Sequence, residues 1–160
     1  MKFEHLVEIN DILNPLNDVI TREQLWRGLV LRAESPKLFV PYLDESTITA
    51  RNTNGFSRSL RYGDLVINDE VRFVELDSVL YDVAAQKDIP QSSLLMKIEE
   101  PSPDALFVRF LYDDGHSAEE DIANEMYNEY RRSAYQEADI DTIRVIREMA
   151  EAGRLNALPS

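Results

Sequence analysis

The 160-residue chain contains no cysteine. Disulfides, thiolate metal sites and thiol nucleophiles are therefore excluded. Glycine occurs only five times, too sparsely for phosphate-cradling loops, and no P-loop, GxGxxG, HExxH or Gly-Xaa-Ser-Xaa-Gly pattern is present. Positive charge is also short, with 17 Lys and Arg against 30 Asp and Glu, a formal net charge of -13. A chain of that sign repels nucleic acid and anionic membrane surfaces unless it carries a local basic stripe, and none is visible. No apolar run approaches the roughly 20 residues that span a bilayer. The opening MKFEHLVEIN lacks the basic segment and apolar run of a signal peptide. A cytoplasmic protein without nucleic-acid or membrane partners is expected.

What remains is a globular composition. Hydrophobic residues make up 44% and charged residues 29%, enough to fill a core, and the length suits one domain, 1–160, rather than two. Residues 2–10 alternate, with Phe3, His5, Val7 and Ile9 on one side and Lys2, Glu4 and Glu8 on the other. That pattern predicts a strand with one buried face. A turn-rich stretch follows from Asp11 to Ile20, carrying Asn14-Pro15 and Asn17-Asp18.

TREQLWRGLVLRAESPKLFVP, residues 21–41, reads as two short helices. Thr21 and Gln24 have capping-box spacing. Trp26, Leu29, Val30 and Ala33 then trace one helical face. Gly28 interrupts it at a cost of about 1 kcal/mol relative to Ala, which a close approach to another backbone would explain. Pro36 ends the first helix near Ser35 and suits the first turn of the second.

From Leu43 the period becomes two. Asn54-Gly55 predicts a type I′ hairpin turn leading into residues 56–62, and Gly63-Asp64 predicts the next. Strands are expected at 65–76, 78–85, 92–100 and 105–112, making seven antiparallel strands in all. From Ser117 the sequence is helical, again opening on a capping box with Glu120. Ile122, Met126, Tyr130, Ala134 and Ala138 form one stripe, extended by Val145, Met149 and Ala152, and Gly153 marks the stop. An unbroken helix over this span would be about 50 Å long, so a bend is expected near 138–141.

Strand, two short helices, six strands and a long C-terminal helix form an order that resembles the helix-grip fold of the START and pollen-allergen superfamily, also called SRPBCC, which includes polyketide cyclases. RYGDLVINDEVRFVELD, residues 61–77, is similar to that superfamily's Gly-containing turn followed by a strand with a central Glu, here Glu70. More narrowly, FEHLVEIN, TREQLWRGLVLRAESP, GFSRSLRYGD, SSLLMKIEEP and ALFVRFLYDD resemble the AtaL-like family over almost the whole chain. The resemblance implies an α+β fold, in which a curved seven-stranded antiparallel sheet wraps around the C-terminal helix and the two short helices close one end. It also implies an apolar cavity between them. It brings no catalytic signature that transfers residue by residue.

The cavity candidates are Trp26, Arg58, Tyr81, Arg109, Tyr127, Tyr130 and Ala134. Tyrosines beside small residues can line a pocket, although any one of them also serves by packing the helix on the sheet. Arg109, within the apolar ALFVRFLY, can receive a ligand carboxylate. An ion pair with Glu70, Glu75 or Asp82, or a solvent-facing stem on the convex side, is the commoner use of such a residue. His5 reads as a satisfied core histidine, since no acid partner stands beside it in sequence. DDGHSAEED, residues 113–121, lacks the ligand register of a calcium loop. No metal, cofactor or catalytic residue is therefore expected.

Three functions fit these features. A binder of a small hydrophobic molecule, lipid- or polyketide-like, stands first, because no acid–base pair is visible. A cyclase or aromatase acting in the same cavity stands second. An acidic interaction domain that meets a basic protein stands third and requires no pocket. The sequence leaves the oligomeric state open, a homodimer being one option.

Overall fold

The structure, a computed structural model, describes residues 1–156 except 12, 15, 17 and 88. Pro15 and Asn17, two of the turn residues named above, lie outside the described residues. Alternation produces β1, Lys2–Glu8, whose Phe3, His5 and Val7 turn inward while Lys2, Glu4, Leu6 and Glu8 stay exposed. The other strands are β2 Glu45–Asn52, β3 Gly55–Tyr62, β4 Leu65–Val74, β5 Ser78–Val83, β6 Ser92–Ser102 and β7 Ala105–Asp113. These seven strands among the described residues form one antiparallel sheet in the order β1-β7-β6-β5-β4-β3-β2. All neighbours except β1 and β7 are consecutive in the chain, as short turns dictate.

One predicted turn falls elsewhere. Asn52 pairs with Gly55, so Thr53 and Asn54 form the bend and Gly55 already belongs to β3. Gly55 has no positive φ. Its glycine serves strand packing instead, because a Cβ there would lie 1.9 Å from the Val71 carbonyl oxygen of β4. Gly63, with φ +61°, does take the left-handed turn position that favours glycine.

Helix α1, Arg22–Glu34, opens on the expected capping box, with both reciprocal bonds between Thr21 and Gln24 made. It ends at Ser35, and Pro36–Leu38 continue as a short 3-10 helix. Gly28 is explained by a side chain rather than a backbone: a Cβ there would stand 2.8 Å from Ile146. Ile146 belongs to α3, Glu125–Glu151, so the missing methyl lets α1 and α3 approach closely. Leu25, Leu29 and Ala33 of α1 join Ile143, Ile146 and Met149 of α3 in the core on the sheet's inner face.

The helical tail divides at Asn124, between α2, Ala118–Ala123, and α3. The Asn124 side chain donates to the Glu120 carbonyl at 2.8 Å, a local bond of the kind that competes with helix continuation. No break occurs at 138–141, where α3 runs through.

The N-terminal part of the stripe expected to cover the sheet faces solvent instead, whereas its extension at Val145 and Met149 packs inward. Ile122 is 79% exposed, Met126 89% and Tyr130 81%, and Ala134 and Ala138 are exposed as well. The opposite stripe, Asn128, Asp139, Thr142, Ile143 and Ile146, is the buried one. Two contacts fix that choice. Tyr135 stacks on Tyr112 of β7 at 4.0 Å and 11°, and Arg131 pairs with Asp114 at 2.6 Å. Ala134→Trp is accordingly expected to change stability by no more than about 0.5 kcal/mol in urea unfolding. A loss of several kcal/mol would place Ala134 against the sheet after all.

Among the described residues no helix is long and apolar enough to cross a membrane.

Candidate functional site

The strand registers set which side chains share the inner face. Arg58 pairs with Asp69, and one layer further Val71 pairs with Tyr81, Tyr81 with Leu94 and Leu94 with Tyr112. Phe3 completes that row from β1, opposite Tyr112. The helices α1 and α3 lie over this face, so the interior between sheet and helices contains polar and aromatic groups rather than aliphatic ones alone.

Arg58 is fully inside. Its Nε donates to Asp69 Oδ1 at 2.9 Å, its Nη2 to Asp69 Oδ2 at 2.6 Å, and its Nη1 to the Ala33 carbonyl of α1 at 3.0 Å. The fork therefore ties β3 to β4 and both to α1. Such planar, bidentate recognition of a carboxylate is what arginine does better than lysine. Tyr81 stands beside it, with its ring centroid 5.0 Å from the Arg58 guanidinium carbon and 5.1 Å from that of Arg32. Both distances suit cation–π attraction. Tyr81 is 5% exposed, and its hydroxyl has no hydrogen-bond partner among the described residues.

A second cluster lies beside the first. Asp139 of α3 is buried and accepts a hydrogen bond from the Tyr112 hydroxyl through Oδ1, while its Oδ2 lies 3.1 Å from His5 Nδ1. Burial pushes the Asp139 carboxyl up to about 6, against the opposing effect of these two hydrogen bonds. The Tyr112 phenol is raised by burial and then by the adjacent Asp139. Residues from β1, β7 and α3 thus form an acid–base chain, His5–Asp139–Tyr112, that no sequence spacing announces.

Tyr81, Leu94, Tyr112 and Tyr135 line a recess of about 200 Å³ between the inner face of the sheet and α3, and Ser93 and Asp113 also line it. A larger groove of about 430 Å³ lies against Ser57, Asn68, Glu70 and Asp82. Much of its lining belongs to the opposite, solvent-facing side of the same strands, and Arg58 and Asp69 also line it. The recess is the feature that joins the two polar clusters.

The sequence candidates separate accordingly. Arg58 and Tyr81 lie on the inner face. Trp26 is half-buried, edge-to-face with Phe73 at 6.0 Å, and packs on the core away from the recess. Arg109 is on the outer face, ion-paired with Glu4 and Glu99. The Arg109 partnership holds the Glu99 carboxyl below its ordinary value. Its partners differ from the three acids considered from sequence, because cross-strand register rather than chain proximity selects them. Tyr127, 66% exposed, lies beside Arg131, and Tyr130 and Ala134 point to solvent. No local sequence pattern marks Arg32, Tyr112 or Thr142 as site residues. A carboxylate in step with Tyr135, Thr142 and Ile146 on α3 was the one available signal.

In DDGHSAEED, Asp114, His116 and Asp121 come close together. Asp114 and Asp121 both meet the Met1 ammonium, and Asp114 also meets Arg131. The carboxylates are thus neutralised by the chain's own cations.

The family profile described as "AtaL: Acetylaranotin biosynthesis cluster protein L" matches residues 7–153. The chain belongs to the AtaL family. No curated protein matches this AtaL-family chain in sequence. Among solved structures, it is similar to the di-domain ARO/CYC StfQ from the steffimycin biosynthetic pathway. The TM-score is 0.66 at 13% identity, over 94% of this chain and 50% of that one. It is also similar to the Zhui aromatase/cyclase from Streptomyces sp. R1128, with TM-score 0.62 and 12% identity over 98% and 96% of the two chains. Ara h 8.0201 matches with TM-score 0.59 and 12% identity over 95% and 98%. Identities this low establish a shared fold, the helix-grip architecture of a curved antiparallel sheet around a long C-terminal helix.

Proposed function

We propose that this AtaL-family protein binds a small hydrophobic molecule of polyketide-like, aromatic character between the sheet and α3. The observation that carries the reading is the recess walled by Tyr81, Tyr112 and Tyr135, with Leu94 and Val83 beside them. Aromatic walls with a few convergent polar groups are the usual make-up of a ligand site. Size narrows the class. At about 200 Å³ the recess is below the roughly 300–1,000 Å³ common for drug-sized ligands, which favours a one- or two-ring molecule over a long lipid chain.

Leu94→Trp tests this by filling the recess from its sheet wall. The wild type is expected to bind 2-naphthol in calorimetric titration. The variant should lose about tenfold or more in affinity while keeping its melting temperature. Absence of naphthol binding to the wild type, or undiminished binding to a folded variant, would sink the proposal.

A second reading, a cyclase- or aromatase-like enzyme acting in the same recess, gains support from the His5–Asp139–Tyr112 chain. Tyr112 lines the recess and is backed by a buried carboxyl whose protonation lies near neutrality, the setting in which general acid–base work is efficient. Turnover of a poly-β-ketone by the purified protein separates this reading from simple binding.

A further inference from the structure

The first half of the helical tail buries almost nothing. None of the α2 residues is buried, and in α3 as far as Ala138 only Asn128 is. Ile122, Met126, Tyr127 and Tyr130 stand out from it into solvent, each more than 60% exposed. Met126 and Tyr130 lie one turn apart on α3, with Tyr127 next to them and Ile122 one turn earlier on α2. Single apolar side chains on a surface need no explanation, whereas a contiguous patch with a polar rim marks an interaction site.

The rim of this patch is acidic. Glu119 precedes it, Glu125 and Glu129 run beside it and Glu137 follows it, all of them exposed. The nearby basic side chains are already committed. Arg132 is shared between Glu125 and Glu129, and Arg131 pairs with Asp114. One guanidinium thus serves four carboxylates, and the patch keeps a negative field.

That field selects the occupant. In a second copy of the chain, patch against patch would bring the two glutamate rims together, and like charges across an interface disfavour association. An anionic bilayer is repelled for the same reason. Both features are complemented by a helix with large apolar residues on one side and Lys or Arg along its edges. Such a helix packs on a helical face by ridges into grooves, and its arginines can take the glutamates in forked bonds.

We propose that Ile122, Met126, Tyr127 and Tyr130 form the docking face for a basic amphipathic helix of a partner protein. The face lies across α3 from Tyr135 and Asp139, so docking leaves the recess free. The proposal stands independently of the recess as a ligand site.

The test uses two synthetic helical peptides of about 18 residues, five turns, with the same leucine stripe. One carries lysine on its polar face and the other glutamate. Fluorescence anisotropy at about 0.15 M salt is expected to show the lysine peptide binding with Kd of about 10 μM or tighter, and no binding of the glutamate peptide. Met126→Ser with Tyr130→Ser should weaken the lysine peptide about tenfold or more and leave the melting temperature unchanged. Glu119→Lys with Glu137→Lys should weaken it similarly. Asp64→Lys with Glu75→Lys, the same charge change on the turns at the two ends of β4, should leave it unaltered. Failure of the lysine peptide to bind, equal binding of the two peptides, or binding that survives the double serine variant would overturn the proposal. Equal loss from the two lysine double variants would overturn it too, by reducing the effect to net charge. A marked fall in melting temperature in the serine variant would place these side chains inside and do the same. Sedimentation as a dimer that the serine variant abolishes would give the face to a second copy, and pelleting with phosphatidylserine vesicles would give it to a membrane; either overturns the proposal.

Discussion

Arg58→Met should destabilise the protein by about 3–5 kcal/mol, the cost of leaving one member of a buried ion pair without its partner. The expectation follows from the three bonds that the guanidinium makes. Its removal strands the Asp69 carboxylate inside and leaves the Ala33 carbonyl of α1 without its donor. Charge alone is insufficient, so Arg58→Lys should recover only a minor part of the loss, since one ammonium cannot replace two parallel bonds. The double variant Arg58→Met with Asp69→Leu removes both charges and should recover most of it. Urea unfolding of the three variants measures these values. A single methionine substitution costing under 1 kcal/mol would mean that the pair is well solvated and that the interior is more open than described.

The second large effect is a pH dependence centred on Asp139. The groups facing it are Tyr112 from β7 and His5 from β1, with Arg32 of α1 nearby. Its folded carboxyl titrates at about 6 rather than 3.8, chiefly because burial disfavours the charged form. As pH falls, the folded protein takes up this proton before the unfolded chain does. The contribution of Asp139 to stability is therefore fully present below about pH 4 and is lost as pH rises through about 6. Two pKa units correspond to about 3 kcal/mol. Asp139→Asn removes the titration and keeps a side chain of similar shape. Wild type should thus gain about 3 kcal/mol relative to this variant between about pH 7 and about pH 4. Chemical unfolding at intervals across that window reads the difference. His5→Gln in both backgrounds shows how much of the difference depends on the His5 contact. A flat difference, or one that grows with pH, would show that Asp139 stays ionised in the folded state.

Much of the architecture was legible in the residues. Alternation placed all seven strands to within a few residues, because one face of each packs inward and the pleat has a period of two. Thr21 with Gln24 and Ser117 with Glu120 announced their helix starts, since capping is a local reaction between side chain and backbone. The same locality explains the errors. Asn54-Gly55 carries the composition of a tight turn, yet Gly55 is glycine because the Val71 carbonyl of β4, 16 positions further along the chain, leaves no room for a Cβ. The two short helices have the pattern of a cover for one end of the sheet, but α1 also delivers Arg32 into the interior.

The C-terminal helix marks the boundary between the two kinds of information. It carries two stripes at helical spacing: Ile122, Met126, Tyr130 and Ala134 on one side, and Asn128, Tyr135, Asp139, Thr142 and Ile146 on the other. By composition the first looks like the inner face over its N-terminal half. The second occupies it, because Tyr135 stacks on Tyr112, Arg131 meets Asp114, and Asp139 finds His5 and Tyr112. Periodicity records that a helix has faces; the contacts from other elements decide which face turns inward. The sequence alone therefore determined the order of elements, the absence of thiol chemistry, and the family. Only the tertiary structure decided the site, since His5, Arg32, Tyr81, Tyr112 and Asp139 lie far apart in the chain and meet because the sheet and two helices enclose one small volume.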